Sequence, residues 1–179
     1  MSMIDNLSLR PLKDKDAPLM LEWMRDLEVA RHFRFESSSA TLESVQKFIE
    51  NSKNMDIDAN FAIVNDNDEY LGTVSLKNID HNAKSAEYAI SLRKRAQGCG
   101  CGYAATVKIL EYAYYSLGLD RVYLNVLSEN GVAVKFYERF GFIFEGEFKK
   151  HVFIRNEMHS LKWFRLMKNE YETIKDSEQ

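Results

Sequence analysis

The sequence predicts a mixed α/β fold with one central, mostly antiparallel sheet of about seven strands and helices on both faces. Two observations carry this. Alternating and helical periodicities succeed one another in the order β-α-α-β-β-β-α-β-α-β-β. Three consecutive strands joined by polar turns make an antiparallel meander, and one strand–helix–strand passage in the middle requires a parallel crossover.

Leu7–Arg10 alternates apolar and polar residues, as a short strand does. A helix follows, with Asp16 placed as its N-cap and Pro18 in the first turn, where a missing N–H costs nothing. Its apolar stripe is Met20, Trp23, Met24 and Leu27. A second helix from about Thr41 carries Val45, Phe48 and Ile49 on one face. Asn60–Val64 and Tyr70–Lys77 read as strands around the turn Asn65–Asp68, and Asp80–Asn82 leads into a third, Ser85–Leu92. A long helix then runs to about Leu117 on a stripe of Val107, Leu110, Tyr114 and Leu117, with Gly118 as its stop. Strand Arg121–Leu127, helix Val132–Arg139 and strands Phe142–His151 and Met158–Leu166 complete the order, the last two turning at Arg155-Asn156. The charged tail after Asn169 is expected to fray.

A chain of 179 residues fits one domain, with its core over about 6–166. A composition of 45% hydrophobic and 28% charged residues is that of a globular protein in water. A net charge of −3 gives no support for nucleic-acid binding. No apolar run approaches the ~20 residues of a membrane span, and no signal peptide is visible. A cytoplasmic setting without membrane or nucleic-acid partners is therefore expected. Cys99 and Cys101 are too close in sequence to staple a fold, and no second Cys/His pair stands at ligand spacing, so no metal is expected. His151 and His159 read as structural or solvent-facing. Oligomeric state is not written in the sequence; a homodimer is the commonest outcome among oligomers.

The chemistry concentrates in Ala96-Gln97-Gly98-Cys99-Gly100-Cys101-Gly102-Tyr103. Three of the eight glycines alternate there, immediately before a helix. Glycines permit close backbone approach, and the first N–H groups of a helix are unpaired, so the junction suits a phosphate. Gly100–Ala105 also matches the dinucleotide pattern G-x-G-x-x-A. That reading fails on context: the remaining chain ends in a β-hairpin rather than further βα units, and Arg93-Lys94-Arg95 separates the strand from the glycines.

Gln97-Gly98-Cys99-Gly100-Cys101-Gly102 resembles the Q/R-x-x-G-x-G/A signature of the GNAT (Gcn5-related) N-acetyltransferases. Asn130-Gly131-Val132-Ala133-Val134-Lys135-Phe136-Tyr137-Glu138-Arg139-Phe140-Gly141-Phe142 is similar to that family's N-x-x-A-x-x-x-Y-x-x-x-G-F block. The glycine motif alone is weak; the two blocks in order are specific. The resemblance implies acetyl-CoA as acetyl donor and co-substrate. Gln97, Gly98, Cys99, Gly100, Cys101, Gly102 and Tyr103 would hold its pyrophosphate through their amides. Leu92 and Arg93 would pair with the pantetheine arm, and Asn130 would contact it from across the opening. Arg93, Lys94 and Arg95 would add charge against phosphates.

Acetyl transfer to an amine needs a neutral nucleophile, stabilisation of the thioester oxygen and a proton for the departing thiolate. The resemblance assigns the proton donor to Tyr137, which would also contact the cofactor; the alternative is packing on Phe136 and Phe140. Glu87, a carboxylate within the apolar strand segment Ala86–Ile90, suits the base, directly or through water. Its alternative is an outward-facing strand residue. The family builds its acceptor site from the first two helices with their loop and from the last hairpin, which implicates Phe33, Arg34, Glu36 and Glu157. A small-molecule amine such as a polyamine or amino-sugar nucleotide ranks first as acceptor and a protein N-terminus second. A non-catalytic acyl-CoA-binding module stands as the alternative from another class.

Overall fold

The computed structural model describes residues 7–33, 37 and 39–177. Seven strands form one sheet: β1 (Ser8–Pro11), β2 (Ala59–Val64), β3 (Tyr70–Asp80), β4 (Ser85–Leu92), β5 (Arg121–Leu127), β6 (Ile143–Ile154) and β7 (Glu157–Met167). Their spatial order is β1-β2-β3-β4-β5-β7-β6. All neighbours are antiparallel except β4 and β5. The helices are α1 (Ala17–Arg25), α2 (Leu27–Ala30), α3 (Leu42–Asn51), α4 (Cys101–Glu111), α5 (Gly131–Phe140) and α6 (Lys168–Ser177). Helix α4 lies in the connection between β4 and β5, as a parallel crossover requires.

Alternation along β2 divides the interior in two. Ala59 and Ile63 join the larger core with Ile109, Leu110, Val122 and Phe164. Ala62 and Val64 face Met20, Trp23, Val45 and Ile49. Successive strand residues point to opposite faces, so α4 and α5 cover one side of the sheet and α1 and α3 the other. Within the second core Trp23 Nε1 donates to the Tyr70 hydroxyl at 2.9 Å, and that hydroxyl lies 2.7 Å from Thr73 Oγ1. Buried polar tips are thus satisfied inside an apolar layer. A Cβ on Gly72 would stand 2.3 Å from the Ser91 carbonyl oxygen, so the close approach of β3 to β4 admits only glycine there. Among the described residues no helix is long and apolar enough to cross a membrane.

Several local expectations change. Asp16 does not cap α1 through its side chain; its carboxylate takes Arg10 at 2.7 and 2.8 Å and the Lys13 amide at 2.8 Å. The first helix ends at Arg25, because Asp26 is extended and caps α2 through the Glu28 and Val29 amides. Leu27 thereby leaves the apolar stripe and is 84% exposed. Phe48 stands at the exposed margin of α3, whereas Val45 and Ile49 are buried. The helix expected to reach Leu117 becomes a π turn over Tyr112–Ser116, closed by the Leu117 amide donating to the Tyr112 carbonyl at 3.0 Å. That turn buries Tyr114, whose hydroxyl donates to the Leu166 carbonyl at 2.7 Å. Gly118, at φ +66°, ends it. The tail expected to fray forms α6 instead: Tyr171 packs on Tyr114, and Ile174 lies over Gly141. Its charged composition conceals a two-residue apolar stripe at i, i+3.

Candidate active site

β4 and β5 are paired over only three steps: Ser85 with Arg121, Ala86 with Val122 and Glu87 with Tyr123. Beyond that point β4 continues alongside β3 as far as Leu92, and β5 continues alongside β7 as far as Leu127. The sheet therefore splits, and Glu87 stands at the apex. Its carboxylate accepts from Asn125 Nδ2 at 3.1 Å across the split and from Asn78 Nδ2 at 3.2 Å on the other side. Two amide donors hold the carboxylate in one orientation, half-buried rather than turned to bulk solvent.

Tyr88 follows Glu87 and points to the opposite face. It is fully buried, its hydroxyl 2.8 Å from Thr106 Oγ1 on α4. The Tyr137 ring meets the Tyr88 ring edge-on at 6.0 Å. Tyr137 also packs on Phe136, Phe142 and Phe164 and is 8% exposed. The expected Phe136 contact is there, whereas Phe140 turns to Tyr103, Phe136 and Phe142. Glu87 and Tyr137 thus serve opposite faces of the sheet at the level of the split. Asn130 N-caps α5, its side-chain oxygen accepting from the Ala133 amide at 3.2 Å.

The glycine loop enters α4 through two left-handed residues, Gly98 at φ +71° and Gly100 at φ +84°. Gln97 Nε2 donates to the Leu92 carbonyl at 3.1 Å and ties the loop to the end of β4. Helix α4 then begins at Cys101, so the first-turn amides of Cys101, Gly102 and Tyr103 have no carbonyl four residues back within the helix. Glycines in left-handed conformation followed by first-turn helical amides are the donor set a pyrophosphate fits.

The basic triplet before the loop is differently engaged than expected. Arg93 is buried: its amide donates to the Leu71 carbonyl at 2.9 Å. Its guanidinium holds both oxygens of Glu22 on α1, at 2.9 and 3.2 Å, and the Tyr70 carbonyl at 3.2 Å. Lys94 pairs with Glu28, and Arg95 pairs with Glu69 at 2.7 Å. These cations anchor the loop to α1, α2 and the start of β3, and their charge is met by carboxylates instead of being turned to a phosphate.

On the Glu87 face, the Tyr123 and Trp163 rings stack at 6.2 Å, and Phe148 meets Trp163 at 5.2 Å. Arg155, at the tip of the last hairpin, donates to the carbonyls of Ala30 and Arg31 at 3.3 and 2.8 Å. The hairpin and the end of α2 therefore meet. A groove of about 610 Å³ opens beside them, lined by Arg31, His32, Glu129, Asn130, Gly131, Val132 and Lys135. Burial, Arg31 and Arg155 hold the His32 imidazole below its usual pKa, and its Nε2 accepts from Arg31 Nε at 3.1 Å. Phe33 does not reach this groove as an acceptor contact: it is buried edge-on against Trp23 at 5.2 Å. Glu157 is exposed at the start of β7. Arg34 and Glu36 lie outside the described residues.

Residues 6–143 match the family model of the acetyltransferase (GNAT) domain. The chain belongs to the GNAT acetyltransferases. This GNAT enzyme is 26% identical over 172 residues to a spermidine N(1)-acetyltransferase of Vibrio cholerae, covering 94% of this chain and 97% of that protein. It is also 26% identical over 166 residues to the spermidine N(1)-acetyltransferase of Escherichia coli K12, covering 93% and 88%. The crystal structure of spermidine N-acetyltransferase from Vibrio cholerae in complex with CoA and spermine superposes with a TM-score of 0.86 at 23% identity, over 93% of this chain and 98% of that one. At that identity the likeness is one of fold.

Two features of this GNAT site escape sequence reasoning. Asn125 bridges the split, and its only signal is a lone amide within the apolar strand Val122–Leu127. Arg93 reads as a phosphate contact, because the carboxylates that claim it lie far away along the chain, at Glu22 and Glu69.

Proposed function

We propose that this acetyltransferase transfers acetyl from acetyl-CoA directly to a primary amine of a small molecule, a polyamine first and an amino-sugar nucleotide second. The observation that carries this is the split between β4 and β5, with Glu87 on one face and Tyr137 on the other. The first-turn amides of α4 would hold the pyrophosphate, and acetyl-CoA supplies the thioester. The amine approaches from the Glu87 face and gives its proton to that carboxylate, directly or through one water. An alkylammonium has a pKa near ~10, so the base must remove a proton before attack. Tyr137 returns a proton to the leaving sulfur from the opposite face.

Two relatives covered nearly end to end are named spermidine acetyltransferases, which supports a polyamine. The Glu87 carboxylate beside the Tyr123 and Trp163 rings also suits a cationic chain, since ammonium groups favour aromatic faces. The test is thiol release from acetyl-CoA with spermidine, spermine, 4-amino-sugar nucleotides and N-terminal peptides as acceptors. Polyamine-dependent release is expected. Release with peptides alone moves the assignment to protein N-termini, and acetyl-CoA binding without release on any amine assigns a non-catalytic binding module.

A further inference from the structure

We propose that Cys99 and Cys101 form an oxidisable dithiol within the cofactor loop, a modification site for a peroxide that closes an intraloop disulfide and weakens acetyl-CoA binding. The proposal rests on reading this loop as the pyrophosphate cradle. In an extended segment, side chains at i and i+2 lie roughly 7 Å apart. Here Gly100, at φ +84°, folds the backbone between them, and the two Sγ atoms stand 3.0 Å apart. Both thiols are free. A disulfide is ~2.05 Å long, so closure from 3.0 Å needs an approach of about 1 Å.

The two sulfurs have different environments. Cys101 is fully buried as the first residue of α4, and burial together with Cys99 pushes its thiol up to about 12. Cys99 is half-buried, its Sγ donating to the Ala96 carbonyl at 3.2 Å. Cys99 is the more accessible sulfur and meets the oxidant, and Cys101, with its sulfur 3.0 Å away, is placed to resolve it. In the first step Cys99 sulfur attacks a peroxide oxygen. The S–O bond forms, the O–O bond breaks, and the departing hydroxide leaves as water with the thiol proton. In the second step Cys101 sulfur displaces the hydroxyl of the sulfenic acid. The S–S bond forms, the S–O bond breaks, and the Cys101 proton leaves with the hydroxyl as a second water. Two thiols lose two electrons to one peroxide.

Cys101 is held in the main core, so the approach falls on Gly100 and the loop before it. Gly98 stands in open space, since a Cβ on it would meet no atom within 4 Å, and the loop can turn there without a clash. The amides of Gly98, Cys99 and Gly100 would re-aim together relative to the first-turn amides of α4, and they are among the donors assigned to the pyrophosphate. Small misplacements of such a donor set are costly.

The full chain is treated with hydrogen peroxide and compared with dithiothreitol-reduced protein by non-reducing intact mass and by calorimetric titration with acetyl-CoA. The expected result is a loss of about 2 Da, as two thiol hydrogens leave, with a dissociation constant raised at least ~10-fold and restored by dithiothreitol. Cys99→Ser and Cys101→Ala should each lack the mass loss and the oxidation-dependent change in affinity. No mass loss in the wild type, or a disulfide with unchanged affinity, overturns the proposal. Reduced protein that binds no acetyl-CoA while the disulfide still forms overturns the cradle reading and leaves the dithiol standing.

Discussion

Asn125 Nδ2 donates to the Glu87 carboxylate at 3.1 Å, across the last step at which β4 and β5 are paired. The two residues close the apex of the split from opposite strands. A hydrogen bond to a charged group contributes about 1.5–3 kcal/mol. Its loss should show in folding stability as well as in turnover. Glu87→Gln is expected to lower kcat about 10²-fold and Asn125→Ala about tenfold, each with the KM for acetyl-CoA within about twofold of wild type. Steady-state kinetics with the best amine of the panel decides; unchanged kcat in Glu87→Gln removes the carboxylate from the mechanism.

The packing of Tyr137 and the proton donation proposed for it are separable by substitution. Tyr137→Phe keeps the ring among Tyr88, Phe142 and Phe164 and removes only the hydroxyl. It should lower kcat about 10²-fold while Tm stays within a few degrees. Tyr137→Ala empties a buried aromatic site and should cost about 3–5 kcal/mol in a denaturant titration. Equal turnover by Tyr137→Phe and wild type would leave packing as the sole role.

Arg93 ties the start of the glycine loop to Glu22 and to the Tyr70 carbonyl. Its side chain is 9% exposed but Glu22 is 56% exposed, so water screens part of the pair. Arg93→Gln should destabilise by about 1–3 kcal/mol, a fall of several degrees in Tm. Because the loop loses its anchor, the KM for acetyl-CoA should rise more than kcat falls. Arg93→Lys, which keeps the charge but not the fork, should fall between wild type and Arg93→Gln.

The His32 imidazole is held below its ordinary value of 6.5 by burial, then by Arg31 and Arg155, with Glu129 opposing. Folding therefore disfavours its proton. Its contribution to stability is complete above pH 6.5 and is lost as pH falls from there through the lower folded value, because the unfolded chain takes up the proton first. Imidazole resonances followed by NMR should titrate with a midpoint below 6.5, and Arg155→Gln should move that midpoint upward. A midpoint at or above 6.5 contradicts the assignment.

Most of the architecture was legible because elements are written locally. Hairpin turns, strand alternation and the Gly98-Gly100-Gly102 pattern each lie within a few residues, and the strand–helix–strand passage dictated one parallel pair. The misreadings have local causes as well. The break at Asp26 exposes Leu27, and the π turn at Tyr112–Ser116 rephases the helix stripe. The charged tail hid Tyr171 and Ile174 among acids and lysines.

The sequence by itself determined the order of the seven strands and of the helices between them apart from the break at Asp26, the glycine loop before α4, and Glu87 and Tyr137 as candidates. Only the tertiary structure decided where the sheet splits, which faces those two side chains serve, that Arg93 belongs to Glu22, and that the two cysteine sulfurs meet. The reason is physical. Periodicity reports how a residue relates to its near neighbours. Register and crossover bring together Glu87 with Asn125 and Arg93 with Glu22, pairs separated along the chain by whole strands and helices.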